Sequence, residues 1–209
     1  MMYQSGSYPS VSEEAVRAFL QENFHGKCIA INAEGYPEVS LLPFEYHPPT
    51  ADAPQGWFDL HLVQADRTFR ALSSNPRCGF LVDQPLAFTP HYVVDPIYAG
   101  MATLHFRAVR FHCMATVSTD PAEVARVLDS LVHHYEPNAS FHPVTDQAFY
   151  AGDLSMLGVA RLHIVSWEAK FKLAQNRTPE QREVLSQFLE DRQAPLDALA
   201  LKEMRKAWD

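Results

Sequence analysis

Cysteine is scarce in this chain. Its 209 residues hold three, Cys28, Cys78 and Cys113, scattered and odd in number, with none in a CxxC pair. That excludes a disulfide framework and a zinc knuckle, and it suits small buried hydrophobes in a reducing compartment. Basic clusters are missing too. Lys and Arg total 17 against 25 Asp and Glu, for a formal net charge of -8. Neutralising phosphates needs clustered cations, so direct nucleic-acid binding is not expected, and no helix-turn-helix with basic residues is present. No apolar run approaches the roughly 20 residues that span a bilayer. Residues 1–7 carry neither a basic n-region nor an apolar h-region. Together these absences predict a cytoplasmic protein that engages neither membrane nor nucleic acid. There is no G-x-S-x-G, and Cys28 and Cys78, beside Lys27 and Arg77, fall in predicted strands, so nucleophilic catalysis finds little support.

What is present is ordinary globular material, 47% hydrophobic and 20% charged, enough for one sizeable core. Ser10 to Glu13 forms a capping-box pattern, followed by the apolar stripe Val16, Phe19, Leu20 and Phe24, with Gly26 placed to end the helix. Residues 27–32 and 37–44 read as a hairpin across Ala33-Glu34-Gly35-Tyr36. Residues 47–56, with three prolines, read as a loop. Strands follow at 57–63, 77–82 and 86–92, with a short helix at 67–74 stopped by Asn75-Pro76. Residues 103–117 and 158–173 are long and strand-like, the second slipping phase near Ser166. Helices are predicted from Asp120-Pro121, from Pro179 and over 196–208. Six or seven strands with short helices and no βαβ rhythm predict a mainly β, α+β chain, an antiparallel barrel with helices packed outside. Residues 1–209 read as one domain: an N-terminal helix to 26, a barrel over 27–177 and a C-terminal helical appendage over 178–209.

Two stretches concentrate polar chemistry. In the first, Thr178 is an N-cap, Pro179 fits the first helical position and Gln181 completes a capping box. The run Gln175-Asn176-Arg177 is therefore held between a strand and a helix, where two amides and a guanidinium suit a planar heterocycle or a phosphate. A solvated, capped loop is the plainer reading. In the second, the strand over 57–63, which holds His61, runs into Gln64, Asp66, Arg67, Thr68 and Arg70 at a helix start. Helix N-terminal amides attract anions there, and a surface helix with solvated charges fits equally well. His133, His134 and His142 lack convergent metal-ligand spacing, so no metal is expected.

These residues resemble a known family. The strand, polar junction, short helix and Asn75-Pro76 look like the FMN-binding split barrel of the pyridoxamine 5'-phosphate oxidase superfamily. Lys172-Leu173-Ala174-Gln175-Asn176-Arg177 is close to the K-L-S-Q-N-R signature of its PaiB-like members. Leu41-Leu42-Pro43-Phe44 is similar to that family's H-L-P-F. Gln84-Pro85-Leu86-Ala87-Phe88-Thr89-Pro90-His91-Tyr92 is similar to its G-P-x-A-Y-I-S-P-x-W. The family's H-x-A-R-A-N-P stands here as His61-Leu62-Val63-Gln64-Ala65-Asp66-Arg67, so its Arg has become Gln64 and its Asn has become Asp66. V-P-T-W-N-Y is reduced to Ala102-Thr103-Leu104-His105-Phe106.

The resemblance implies a split barrel that binds FMN between two subunits of a homodimer, with a small-molecule ligand. The phosphate would fall to Arg67, Thr68 and Arg70, with Leu62, Gln64 and Asp66 lining the junction. The ring system would lie along Ser40, Leu41, Leu42 and Pro43. Lys172, Gln175, Asn176 and Arg177 would reach the partner's cofactor. His61 is the candidate catalytic side chain. The departures at Leu41, Gln64, Asp66 and Leu104 imply a weakened or repurposed pocket. The resemblance implies a flavin-dependent oxidoreductase or a transcriptional regulator without turnover. A heme-binding split barrel, using His61, His91, His105 or His112, is the third expectation.

Overall fold

A computed structural model of the chain describes residues 8–145 and 148–208; the leader reading of residues 1–7 lies outside them. Helix α1 is Glu13–Gln21, followed by strands β1 His25–Ile31, β2 Pro37–Pro43, β3 Glu45–His47 and β4 Trp57–Val63. Helix α2 is Arg67–Ser74, and strands β5 Arg77–Thr89 and β6 Thr103–Ser118 come next. Helices α3 Pro121–Tyr135 and α4 Ala151–Met156 precede β7 Leu157–Lys172, and α5 Pro179–Arg192 and α6 Asp197–Trp208 close the chain. The hydrogen-bonded strand order is β2-β1-β5-β6-β7-β4-β3, an antiparallel sheet of seven strands. The mixed α+β, mainly β reading therefore holds.

The residues fall into two compact units. One holds 8–16, 83–109 and 168–208; the other holds 17–82, 110–145 and 148–167. The second is built on an aromatic core. Phe44, Phe58, Phe80 and Phe111 are all buried and meet at centroid spacings of 4.7–5.4 Å. At such distances edge-to-face pairs add to simple burial. The β1–β2 hairpin closes through Asn32, whose Oδ1 accepts from the amides of Glu34 and Tyr36, with Gly35 at φ +85°. In the first unit, Leu86, Ala87, Leu173 and Ala174 bury themselves against Leu185, Leu189, Ala200 and Met204 of α5 and α6.

Several expectations need correction. Ser12, not Ser10, caps α1: its Oγ accepts from the Ala15 amide at 3.2 Å. The helix stops at Gln21, and Gly26 lies in β1, where any Cβ would sit 2.3 Å from the Phe80 ring. A side chain there would displace the aromatic core, so the position is small for packing, not for a cap. The strands expected at 77–82 and 86–92 are one strand, β5, running through an exposed Pro85. Tyr92 lies beyond it, in a 3-10 turn. The short β3 and α4 were not expected; three residues and six are too few to show a period.

Candidate functional site

The junction after β4 is built by helix capping. Asp66 adopts extended backbone (φ -62°, ψ 139°) and its Oδ1 accepts from the Thr68 amide at 2.7 Å. Ser40, from β2, approaches the same oxygen at 3.2 Å and lies 2.7 Å from Thr68 Oγ1. Ser40 has one proton. With that proton on Asp66, the Thr68 hydroxyl donates to Ser40. The structure thus brings Ser40, Asp66 and Thr68 together, and their donors all run inward to one carboxylate. Thr68 is buried, 1% exposed.

Arg67 and Arg70 are different. Both are exposed, and neither guanidinium has a hydrogen-bond or ion-pair partner among the described residues. Three residues apart on α2, they lie on one face, opposite the buried Phe69 and Leu72. Gln64 is engaged elsewhere: its Nε2 donates to the carbonyls of Leu157 (2.8 Å) and Ser155 (3.2 Å). Leu62 is in the core, Leu41 is exposed, and Leu42 and Pro43 are half-buried. His61, opposite Val159 on β7, is half-buried. Burial lowers its pKa, which keeps the imidazole neutral near pH 7, and its buried Nδ1 has no partner among the described residues.

The Lys172-to-Arg177 segment lies in the other unit, where β7 turns into α5. Gln175 folds back on the strand end. Its Oε1 accepts from the Leu173 amide and its Nε2 donates to the Phe171 carbonyl, both at 2.8 Å. Ala174 takes φ +62°, a left-handed conformation that costs an L-residue about 1 kcal/mol. The capping box of Thr178 and Gln181 forms as expected. Arg177 reaches Met101, its Nη2 donating to the carbonyl at 3.4 Å. Asn176 is exposed, without a side-chain partner among the described residues. Lys172 donates to Thr103 Oγ1. Burial, then Lys170 and Arg177, lower its pKa.

Behind this ammonium lies a residue the motif reading weighed only for heme. His105 is 1% exposed, its Nε2 3.0 Å from Thr89 Oγ1. Burial first, then the charges of Lys172 and Arg177, push its pKa down to about 4. Of the other histidines weighed, His91 is half-buried in a 3-10 turn and His112 lines an outer groove of about 550 Å³.

Sequence reasoning missed the buried ion pairs, among them the Arg107–Glu203 bridge at 2.9 Å and a cluster around Asp59. Asp59 accepts from Arg161 Nε and Nη2, each at 2.8 Å, and lies 3.2 Å from His47 Nε2. His47 stacks on Trp57 at 4.6 Å. Burial alone would raise the Asp59 pKa; the bonds from His47 and Arg161 outweigh it and hold the carboxyl below its usual range. The available signal was a carboxylate between Phe58 and Leu60 in a core strand. Pinning the short edge strand β3 is the work it does.

Comparison with known proteins agrees with this architecture. A family model described as "Putative FMN-binding domain" matches residues 2–165. The chain belongs to that family of FMN-binding domains, and its fold is of the split-barrel kind. Among solved structures, the flavocytochrome Anf3 from Azotobacter vinelandii aligns with TM-score 0.57 at 20% identity, covering 82% of this chain and 73% of that one. The FAD and heme binding protein from Mycobacterium smegmatis aligns with TM-score 0.56 at 16% identity, covering 78% and 72%. A conserved hypothetical protein from Mycobacterium tuberculosis aligns with TM-score 0.54 at 16% identity, covering 82% and 91%. At these identities the likeness is one of fold. No curated protein matches the chain. Among the described residues, no helix is long and apolar enough to cross a membrane.

Proposed function

We propose that this chain binds FMN and acts as a flavin-dependent oxidoreductase on a small molecule or a nicotinamide. The observation that carries the reading is the pair of exposed guanidinium groups, Arg67 and Arg70, on one face of α2 in a chain of the FMN-binding family. Two cations without protein partners suit a phosphate, and a half-buried neutral His61 with an unpaired, buried Nδ1 is the candidate side chain beside the heterocycle. FMN supplies the electron chemistry when bound; the protein supplies position and field. Ser40 to Pro43 are the proposed rest for the ring system. Lys172, Asn176 and Arg177 are proposed to serve the cofactor of a second subunit. Gln175 would act there only by holding their turn.

Homodimer formation belongs to the same reading. Ile31, Val39 and Leu41 are exposed on β1 and β2, and Ile29, Met114 and Val165 line the outer groove. An open apolar surface of this kind is what a second copy would cover.

Purified protein titrated with FMN, followed by its visible spectrum and by steady-state oxidation of NADH or NADPH, tests the reading. Saturable flavin uptake with turnover supports it. Uptake without turnover favours a flavin-responsive regulator, and a Soret band favours heme. Sedimentation at micromolar protein checks the dimer; a monomer with bound flavin removes the shared site. If His61 serves the reactive edge, His61→Gln lowers turnover while flavin stays bound; unchanged turnover removes it.

A further inference from the structure

We propose that Asp66 sets the flavin preference of this chain: its carboxylate fills the seat at the start of α2, so the ligand's phosphate adds little to binding. The proposal rests on the flavin reading above and concerns which flavin is taken.

Three polar hydrogens at the helix start are the Thr68 amide, the Ser40 hydroxyl and the Thr68 hydroxyl. The first is held by Asp66 Oδ1 at 2.7 Å and the second by the same oxygen at 3.2 Å. The third reaches Ser40 at 2.7 Å. An internal anion therefore already holds several of the donors an external anion would use. A phosphate brought to these donors must displace the carboxylate or lie against it, and like charges at contact distance repel. Burial keeps the arrangement in place: Thr68 is 1% exposed and Ser40 half-buried, so the hydroxyls cannot swing out without leaving polar atoms unpaired. What remains for the phosphate is the Arg67 and Phe69 amides, beside the same carboxylate, and the guanidinium groups of Arg67 and Arg70, both exposed, where solvent and salt weaken each contact. The chain should then accept riboflavin nearly as well as FMN.

Fluorescence titration of the full chain with FMN and with riboflavin reads this directly. The expected result is dissociation constants within tenfold of each other. Asp66→Asn keeps an oxygen for the Thr68 amide, removes the charge and adds an amide donor. It should raise the preference for FMN over riboflavin at least fivefold. Asp66→Ser, also a helix cap, should move the ratio the same way if the Asn variant folds poorly. A native preference for FMN above tenfold, or a ratio that neither substitution moves, overturns the proposal while leaving flavin binding intact. Failure of both flavins to bind removes the flavin reading itself, and this one with it.

Discussion

The α2 junction and the turn after β7 are the two segments whose composition most suggested ligand chemistry, and they handle their polar groups differently. At the junction, hydroxyls and a helix amide converge on the Asp66 carboxylate while two guanidinium groups stay open. At the turn, the Gln175 amide serves only its own backbone, and the cations Lys172 and Arg177 have protein partners in Thr103 and Met101. The same residue types thus do different work. Amides and hydroxyls near a chain reversal are drawn into holding it, because an unpaired buried backbone group costs about 1–3 kcal/mol. Long cations go either way: Lys172 and Arg177 are drawn in, Arg67 and Arg70 are not. A polar motif therefore marks ligand chemistry most credibly through the members its own fold does not use.

The sharpest way to break this comparison is Gln175→Ala. It leaves the Leu173 amide and the Phe171 carbonyl without their side-chain partner in a mostly buried turn. A loss of about 2–4 kcal/mol in unfolding free energy is expected. Gln175→Glu, which keeps the acceptor, should fall between. A loss under about 0.5 kcal/mol in urea denaturation would return Gln175 to the role of a ligand group.

The second effect tests the cations of the turn through His105. Its pKa is pushed down to about 4, against 6.5 for the ordinary residue. The unfolded chain therefore binds the proton more readily. Stability from this group is complete above about pH 6.5 and is lost as pH falls toward 4, by up to about 3 kcal/mol. His105→Gln should flatten that part of the profile. Lys172→Met removes one of the charges that depress His105, so its imidazole signal in an NMR titration should move to higher pH. No movement would separate the ammonium from the histidine.

Asp66→Ala comes next. It removes the α2 cap and leaves the Ser40 and Thr68 donors unanswered, a cost of about 1–2 kcal/mol, whereas Asp66→Asn should stay within about 0.5 kcal/mol of the native chain. Thermal denaturation of both variants separates a capping role from a purely electrostatic one. Equal losses would mean the charge itself holds the junction.

How much of this is legible in the sequence depends on range. The start of α5 is readable to the residue, because the Thr178–Gln181 box is contained in four positions. So are the Asp120 cap and the tip of the first hairpin. At α1 two serines compete, and which one caps is decided by where the buried face of Val16, Phe19 and Leu20 must point. Pro85 reads as a break, yet β5 continues through it, since an exposed strand position tolerates a missing amide. Ser40 and Asp66 stand 26 residues apart, and Asp59 and Arg161 102 apart. No period or motif joins such pairs; the β4–β7 register joins the second, and the packing of α2 against β2 joins the first. The motif names the site residues, but whether each is open to a ligand is settled by contacts the motif does not contain.

The smallest expected effect contrasts the open cations with the open amide. Arg67→Ala should weaken FMN about three- to tenfold, roughly 1 kcal/mol, the scale of an ion pair discounted for exposure. Riboflavin, lacking the phosphate, should be affected less. Asn176→Ala, at the tip of the other segment, removes no charge and should change both flavins by the same factor. Raising the salt should erase most of the Arg67 effect and little of any effect at Asn176. If Arg67→Ala weakens riboflavin as much as FMN, its guanidinium faces the ring or the sugar and not the phosphate, and the junction would lose its role as the anionic end of the site.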